Sequence, residues 1–143
     1  MNTTSFTPTA GVMPTPTLPV VSALTRPFWD AAAQGRLLLP RCNACSRHFF
    51  RPEVACTHCF ATDWQWVAAS GRGTLYSWTA VHRAPAPGFV VPLVLAIVEL
   101  AEGPAMMSNL VDCSEGDIRI GMALEVRFEQ VAAEIHLPRF VRA

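Results

Sequence analysis

Four cysteines occur as two short pairs in the first half of the chain, Cys42-Asn-Ala-Cys45 and Cys56-Thr-His-Cys59. Two cysteines separated by two residues let one tight turn direct both sulfur atoms at a single ion, and the ten residues between the pairs are enough for a hairpin that returns the chain. Four thiolates complete a tetrahedral coordination shell. We therefore predict a structural Zn²⁺ site with these four cysteines as its ligands.

Other readings of the cysteines fit the same spacing. Iron in a rubredoxin-like site also uses four cysteine sulfurs, so the spacing does not decide between zinc and iron. Two disulfides are disfavoured because the first residues do not resemble a secretory signal, and we expect a cytosolic protein with reduced thiols. His48 and His58 lie in the same segment, but four sulfurs already satisfy an ion, so we expect both histidines at the surface.

No catalytic residue is predicted in this chain. A four-cysteine site leaves no coordination position for a substrate. The remaining thiol, Cys113, lies beside Asp112 and Glu115, whose negative charges disfavour a thiolate nucleophile. No Ser-His-Asp, Cys-His or paired-carboxylate arrangement emerges from the spacing of the other residues.

The composition disfavours two classes of partner. Eleven basic residues balance eleven acidic ones and the pI is about 6.9, which argues against a protein that neutralises many phosphates of a nucleic acid. The sequence contains no apolar run near the ~20 residues that a membrane-spanning helix needs. We expect neither nucleic acid nor membrane as the main partner.

The elements around the cysteines follow in order along the chain. Residues 1–24 are rich in threonine and proline and lack periodicity, so we predict a disordered tail, either a partner-wrapping arm or a dispensable one. Residues 25–36 predict a docking helix from about Arg26 to Gln34, which Gly35 ends. Because so short a helix is marginal alone, Phe28 and Trp29 must pack against this chain or against another subunit.

Residues 37–70 then form the predicted zinc ribbon, and residues 71–143 a second unit that starts at Gly71-Arg-Gly73. Five short strands are expected there. Thr74 to His82 alternates, with Leu75, Ser77 and Thr79 on one face, and Pro92 to Leu100 is apolar enough for a strand covered on both faces. In the fourth strand Leu124, Val126 and Phe128 are expected inward. Five strands with a helical turn after the third favour an oligonucleotide/oligosaccharide-binding (OB) barrel over an open sandwich.

The whole chain resembles a known family, the acyl-CoA-associated proteins that join a rubredoxin-like zinc ribbon to an OB-fold. The resemblance runs from about Pro27 to Phe140 and rests on the order of the parts. The strings that carry it are the two cysteine pairs, Gly71-Arg-Gly-Thr-Leu-Tyr-Ser-Trp-Thr-Ala-Val-His-Arg83, Val98-Glu-Leu-Ala-Glu-Gly-Pro104, Ser108-Asn-Leu-Val111, Asp117-Ile-Arg-Ile-Gly-Met122 and Leu137-Pro-Arg-Phe140. It implies a mainly β protein: a short N-terminal helix, a zinc ribbon and a five-stranded OB-fold barrel.

The resemblance also implies a function. Members of the family are accessory subunits of thiolase-like acyltransferase or aldolase complexes, or of hydratase complexes, in which the partner carries the catalytic residues. We therefore predict a non-catalytic subunit that binds and stabilises a thiolase-fold enzyme acting on acyl-CoA, with acyl-CoA at the interface. His82 and Arg83 are the residues best suited to contact CoA. The alternative is a module that binds single-stranded nucleic acid through the basic cluster Arg36, Arg41, Arg47, His48 and Arg51. Trp64, Trp66 and Trp78 could stack bases there, but we expect them to fill the junction between the ribbon and the barrel.

Overall fold

The computed structural model describes residues 17–143, and residues 1–16 of the predicted disordered tail lie outside the described part. Its elements are the helix α1 (Arg26–Ala32), the strands β1 (Leu38–Cys42), β2 (Trp64–Ala68), β3 (Arg72–Val81), β4 (Leu93–Leu100), β5 (Ala105–Leu110), β6 (Ala123–Ala132) and β7 (Ile135–Arg142), and a 3₁₀ turn at Glu115–Asp117. The predicted fold class is confirmed: the protein is mainly β, with one short helix, a ribbon region and a closed five-stranded OB-fold barrel.

Helix α1 ends two residues earlier than predicted and packs against this chain. Pro27 lies in its first turn, and Gly35 adopts a φ of 71° just beyond it. The Arg36 N–H donates to the Ala31 carbonyl across this reversal (2.9 Å). Phe28 is buried, with only 6% of its surface exposed, so the helix contributes its main aromatic side chain to the chain's own core.

Strands β1 and β2 form a two-stranded antiparallel ribbon, in which Leu38 pairs with Ala68 and Cys42 with Trp64. The segment between them contains Cys45 and the second cysteine pair, and it folds back on β1 through a bridge from Arg41 to His48. Leu39 is fully buried. The ribbon therefore presents the first cysteine pair at the end of one strand and begins its return strand just after the second pair.

The remaining strands close into a barrel in the order β3, β4, β5, β7, β6, which returns to β3. All neighbouring pairs are antiparallel except β5 and β7, which run parallel and meet at Leu110 and Phe140. The inward and outward faces of β6 are as predicted: Leu124 is buried, and the alternate residues Glu125 and Arg127 are exposed. The barrel is least complete between β5 and β7, which share only the residue pair Leu110 and Phe140.

The alternation predicted for β3 is wrong beyond its first half. The pairing of β3 with β4 shifts between Leu75 and Ser77, which places a bulge at Tyr76. After the bulge Trp78 packs against the core, whereas Ser77 and Thr79 are exposed. One extra residue in a strand moves every later side chain to the opposite face, and period-two patterning does not reveal such an insertion.

A single apolar cluster joins the helix, the ribbon and the barrel. Phe28, Leu37 and Leu39 belong to the same buried cluster as the barrel residues, and Trp66 packs against it. The barrel members are Leu75, Val94, Ala96, Val98, Leu100, Met106, Leu110, Ile118, Leu124 and Phe140. The linker after β2 is also fixed, because the Ser70 N–H donates to Glu102 Oε1 (2.6 Å) in the turn between β4 and β5. The ribbon and the barrel therefore pack as one body.

Among residues 17–143, no helix has the length and apolar character required to span a membrane.

A close approach of backbone at Gly73 generates a stability prediction. Gly73 lies between β4 and β6, where an added Cβ would stand 2.5 Å from the Glu99 carbonyl oxygen and 2.7 Å from Val98 Cγ1. We expect Gly73→Ala to lower the free energy of unfolding by about 1–3 kcal/mol, because backbone must shift to admit the methyl group. The control Gly116→Ala meets nothing within 4 Å. Chemical denaturation measures both, and equal stability of the two variants would contradict the predicted clash.

Candidate metal centre

The two cysteine pairs form two turns with the same backbone hydrogen bonds. In the first, the Ser46 N–H donates to the Cys42 carbonyl (3.0 Å) and the Cys42 N–H to the Arg47 carbonyl (2.9 Å). In the second, Phe60 N–H donates to the Cys56 carbonyl (3.0 Å) and Cys56 N–H to the Ala61 carbonyl (2.8 Å). The chain thus builds one knuckle twice, and the hairpin sets the two knuckles face to face.

The four cysteine sulfurs converge on one point. All four Sγ atoms lie within 4.8 Å of one another, with Cys42 and Cys59 3.6 Å apart and Cys45 and Cys56 3.7 Å apart. All four are free thiols. A tetrahedron with Zn–S bonds of about 2.3 Å has sulfur–sulfur edges of about 3.8 Å. The sulfurs are therefore positioned to bind a metal ion, and they fill all four positions of a tetrahedral shell.

Both knuckles contain a residue in the left-handed backbone region. Ser46 has a φ of 62° and Phe60 a φ of 61°, at the positions just after each second cysteine. A glycine adopts this conformation without cost, whereas a side chain there costs about 1–2 kcal/mol. The protein therefore keeps the knuckle geometry despite two unfavourable residue types, which indicates that the sulfur arrangement constrains the backbone.

Backbone N–H groups point at the sulfurs and influence their ionisation. The Cys45 N–H lies 3.5 Å from Cys42 Sγ, and the His58 N–H lies 3.4 Å from Cys56 Sγ. Burial disfavours the Cys56 thiolate, but hydrogen bonds from the His58 and Cys59 N–H groups and from neighbouring thiols outweigh burial and lower the pKa of Cys56 to about 6.

The pKa of Cys59 shifts in the opposite direction. The Ala61 N–H favours its thiolate, but the neighbouring Cys42 thiol, desolvation and the other two thiols outweigh that bond and raise the pKa of Cys59 to about 12. Several thiolates cannot lie this close together unless a cation balances their charge, so a bound metal must displace protons from the sulfurs.

Aromatic side chains enclose the sulfur site from one side. Phe49 is buried with Cys42 and Cys56 in a small cluster, and Trp64 packs against that cluster. The Phe49 and Trp64 rings meet edge to face at 5.7 Å, and Trp64 meets Trp66 in the same way at 5.4 Å. These rings connect the sulfur site to the large core, because Trp66 also packs against the core cluster.

The two histidines of the ribbon do not join the four sulfurs. His58 is exposed, as predicted, and its Nε2 lies 3.3 Å from the backbone carbonyl of His48. His48 is half-buried, so the prediction of a surface residue was only partly right. Both side chains line a cavity of about 450 Å³ between the ribbon and the β4–β5 turn, together with Arg47 and Glu102.

The residues predicted to contact CoA lie at the end of β3, away from the sulfurs in sequence. His82 and Arg83 are both exposed, and His82 Nε2 stands 3.7 Å from Glu115 Oε1 in the 3₁₀ turn. Cys113 is half-buried beside that turn. In the folded chain His82 and Glu115 lie close together. Within residues 17–143, the hydrogen bond of Cys113 is to the Ser114 carbonyl and not to a histidine.

The three tryptophans are packed, as we expected, and do not form an exposed platform for bases. Trp66 and Trp78 pack against the main core cluster, and Trp64 packs against the sulfur site. The aromatic residues that are most exposed in the described part are Phe60, at 80%, and Tyr76, at 60%. These two residues were not singled out by sequence reasoning, since exposure of an aromatic side chain has no signal in a single sequence.

A groove beside α1 was also missed. It has a volume of about 350 Å³ and lies between α1 and the segment after Phe50. Its aromatic walls are Phe28, Trp29 and Phe50, with Phe28 and Trp29 edge to face at 5.0 Å. Only folding brings α1 to this segment, so no local pattern predicts the groove.

Two family models match the chain and together cover most of it. Residues 29–65 match the model described as "ChsH2, rubredoxin-like zinc ribbon domain". Residues 66–129 match the model described as "ChsH2, C-terminal OB-fold domain". The two matches meet between Gln65 and Trp66, inside β2.

Curated relatives are similar over much of the chain. A probable enoyl-CoA hydratase alpha subunit from Thermomonospora curvata is 40% identical over 79% of this chain, and the match covers 36% of that protein. A DUF35 domain-containing scaffold protein from Methanocaldococcus jannaschii is 34% identical over 64% of this chain and 66% of its own length. The benzoylsuccinyl-CoA thiolase subunit BbsA from Geobacter metallireducens is 30% identical over 54% of this chain and 49% of its own length. The chain thus spans about a third of the length of the hydratase subunit.

A solved structure is similar over nearly its whole length. The chain in the structure titled "Ltp2-ChsH2(DUF35) aldolase" is 36% identical to this one, with a TM-score of 0.78. The match covers 87% of this chain and 98% of that chain. The likeness extends over helix, ribbon and barrel together.

Removal of a single sulfur tests the metal centre. We expect Cys45→Ser to reduce bound metal from about one ion per chain to near zero and to unfold the ribbon, because three sulfurs no longer close the tetrahedron and structural sites fold with their metal. Cys113→Ser is the matched control and should retain the metal. Elemental analysis by mass spectrometry identifies and counts the ion, and metal retention in Cys45→Ser would show that these sulfurs are not its ligands.

Proposed function

The chain belongs to the DUF35 family of proteins, which join a rubredoxin-like zinc ribbon to an OB-fold, and from this membership we propose that it is an accessory subunit without catalytic residues of its own. It binds Zn²⁺ through Cys42, Cys45, Cys56 and Cys59, and it binds and stabilises a thiolase-fold enzyme that acts on acyl-CoA. The partner carries out acyl transfer, condensation or retro-aldol cleavage. The similarity to a subunit of an aldolase complex, over 98% of that subunit, carries this proposal.

The names of the relatives support an acyl-CoA complex. One relative is a subunit of an enoyl-CoA hydratase, one is a subunit of a thiolase and one is a scaffold protein. Enzymes of these kinds act on CoA thioesters, and each relative named as a subunit shares its complex with at least one other chain. We assign neither a nucleophile nor a general base to this chain, so the simplest explanation is that a partner supplies both.

The metal centre supports a structural role. Four sulfurs occupy every position of a tetrahedral ion, so the ion has no site for a substrate or an activated water. Zinc fits this role better than iron because the site needs no redox change to hold the ribbon together. A metal with four thiolate ligands requires reduced cysteines, which agrees with the expected cytosolic location.

The groove beside α1 is the proposed docking surface. Trp29 is half-buried and lines this groove with Phe50, Arg51 and Glu53. On the ribbon, Val54 (74% exposed) and Phe60 (80% exposed) add apolar surface. Partly exposed aromatic side chains next to charged groups are typical of the centre and rim of protein interfaces.

Co-expression with a thiolase-fold enzyme encoded beside this chain tests the proposal. We expect a stable complex that is active on acyl-CoA, whereas the isolated chain turns over no acyl-CoA. Trp29→Ala should weaken the complex by at least about tenfold in Kd, since a buried aromatic anchor contributes more than about 1.4 kcal/mol.

The matched control is Ile120→Ala, a 64%-exposed residue on the turn before β6. Trp29 also packs against the core, so Trp29→Ala lowers the free energy of unfolding; the comparison holds when both variants keep their metal and remain folded at the assay temperature. Turnover of acyl-CoA by the lone chain would contradict the accessory role, and equal affinity of Trp29→Ala and the parent would locate docking elsewhere.

His82 and Arg83 are the proposed contacts to CoA in the complex. Both are exposed at the end of β3, where a partner surface can bring a ligand to them, and an arginine binds phosphate through two parallel hydrogen bonds. His82 lies beside the Glu115 carboxylate, whereas Arg83 takes part in none of the ion pairs of residues 17–143. Of the two residues, Arg83 is therefore the one free to contact a phosphate.

We expect Arg83→Ala to raise the KM of the complex for acyl-CoA by about tenfold with little change in kcat, because the contact is made equally in the bound substrate and in the transition state. Arg142→Ala removes an exposed arginine at the end of β7 and serves as the control. An unchanged KM for Arg83→Ala would exclude this contact.

A further inference from the structure

Phe60 combines two properties that are unfavourable in an isolated folded chain. Its side chain is 80% exposed, and its backbone has a φ of 61°, in the left-handed region. The exposed ring gains nothing from burial, and the left-handed backbone brings its Cβ close to a carbonyl oxygen, a contact that glycine avoids. Backbone strain that does not serve folding is typical of positions that serve binding or catalysis.

The first knuckle shows which residue the same backbone holds elsewhere in this chain. Ser46 occupies the equivalent position with a φ of 62°, and its small polar side chain is exposed. Arg41 and Arg47 flank that knuckle. By contrast, residues 54–62 around the second knuckle contain no aspartate, glutamate, lysine or arginine. The two knuckles therefore share a backbone but differ in the chemistry of their surfaces.

We call residues 54–62 the second-knuckle loop. Val54 at its start is 74% exposed, and every residue from Thr57 to Phe60 is exposed. Phe60 belongs to neither of the two apolar clusters of residues 17–143. Exposed aromatic and aliphatic side chains without charged neighbours are characteristic of the centre of a protein interface, where charged residues are depleted.

Hydrogen bonds hold the second-knuckle loop at both ends. Trp64 Nε1 donates to the Val54 carbonyl (3.3 Å), and the Phe60 N–H donates to the Cys56 carbonyl (3.0 Å). Trp64 in turn packs against the cluster that contains Cys56. A side chain on a backbone that is already ordered loses less conformational entropy on binding, so a single ring here is suited to act as an anchor.

The second-knuckle loop adjoins the docking surface proposed beside α1. The wall of that groove includes Pro52 and Glu53, and Val54 is the next residue of the chain. A partner that covers the groove therefore reaches the start of the loop. A nucleic acid is a poor alternative occupant, because the loop has no arginine or lysine to neutralise a phosphate.

We propose that Phe60 is an anchor residue that inserts into an apolar pocket on the partner enzyme. This inference rests on the proposed accessory role and names the side chain that makes the contact. The ring is exposed in the free chain and is buried in the complex, so binding recovers what the free chain lacks at this position. The same contact accounts for the absence of charge in the loop, since an unpaired charge there would lose its hydration.

Substitution of Phe60 separates binding from folding. Phe60→Gly removes the ring and relieves the left-handed backbone. We expect its affinity for the thiolase-fold enzyme encoded beside this chain to fall by at least about tenfold in Kd. The midpoint of chemical denaturation of the isolated, metal-loaded chain should be unchanged or higher. Surface plasmon resonance on the immobilised enzyme measures the affinity, and elemental analysis confirms that each variant keeps its metal.

Two further variants control for the backbone. Ser46→Gly makes the same change at the same φ in the first knuckle and should leave the affinity unchanged. Phe60→Asn introduces a residue that tolerates the left-handed region without the added freedom of glycine. It should weaken binding as much as Phe60→Gly does, because both variants lack the ring.

The possible contrary results have different meanings. Equal affinities of the parent chain and Phe60→Gly would overturn the inference and leave the accessory role intact. A lower denaturation midpoint for Phe60→Gly would also overturn it, because the ring would then serve the stability of the isolated chain. Self-association that Phe60→Gly abolishes would assign the ring to a second copy of this chain. Failure of the parent chain to bind the enzyme would overturn the accessory role and the inference together.

Discussion

The convergence of four sulfur atoms is the constraint on which the N-terminal half of this protein depends. The ribbon has only two short strands of its own, and the small cluster around Phe49 buries too little apolar surface to hold two knuckles together. Two residues just after the knuckles, Ser46 and Phe60, adopt backbone conformations that side chains resist. The four sulfurs are positioned to bind one ion, and such an ion would compensate for both deficits, as in other small metal-binding ribbons.

The ribbon is connected to the barrel through a shared apolar core. Phe28 and Leu39 lie in the same cluster as the barrel residues, and Trp64 and Trp66 form an aromatic path from the sulfurs to that cluster. The hydrogen bond from Ser70 to Glu102 fixes the linker between the two parts. An ion bound by the four sulfurs would therefore influence the surface of the barrel by holding the ribbon against it.

The closed barrel limits how this protein meets other molecules. Four of the five strand contacts around the barrel are ladders of at least three residue pairs, which leaves few backbone groups free for an added strand, and β5 and β7 pair only at Leu110 and Phe140. The described surface also has two apolar features, the groove beside Trp29 and the groove on the outer face of β4 around Ile97. They lie on different elements.

Local patterns in the sequence were enough to predict the convergence of the four cysteines and the order of elements. The two-residue spacing in each cysteine pair dictates a knuckle whatever surrounds it, and the alternation from Leu124 to Glu129 marks a half-buried strand because its period is two. The bulge at Tyr76, the parallel pairing of β5 with β7, the packing of Phe28 into the common core and the apolar groove on the outer face of β4 emerged only in the folded chain. Each of these depends on contacts between residues far apart in sequence. Such contacts do not change the spacing of apolar residues within any one segment, so that spacing cannot predict them.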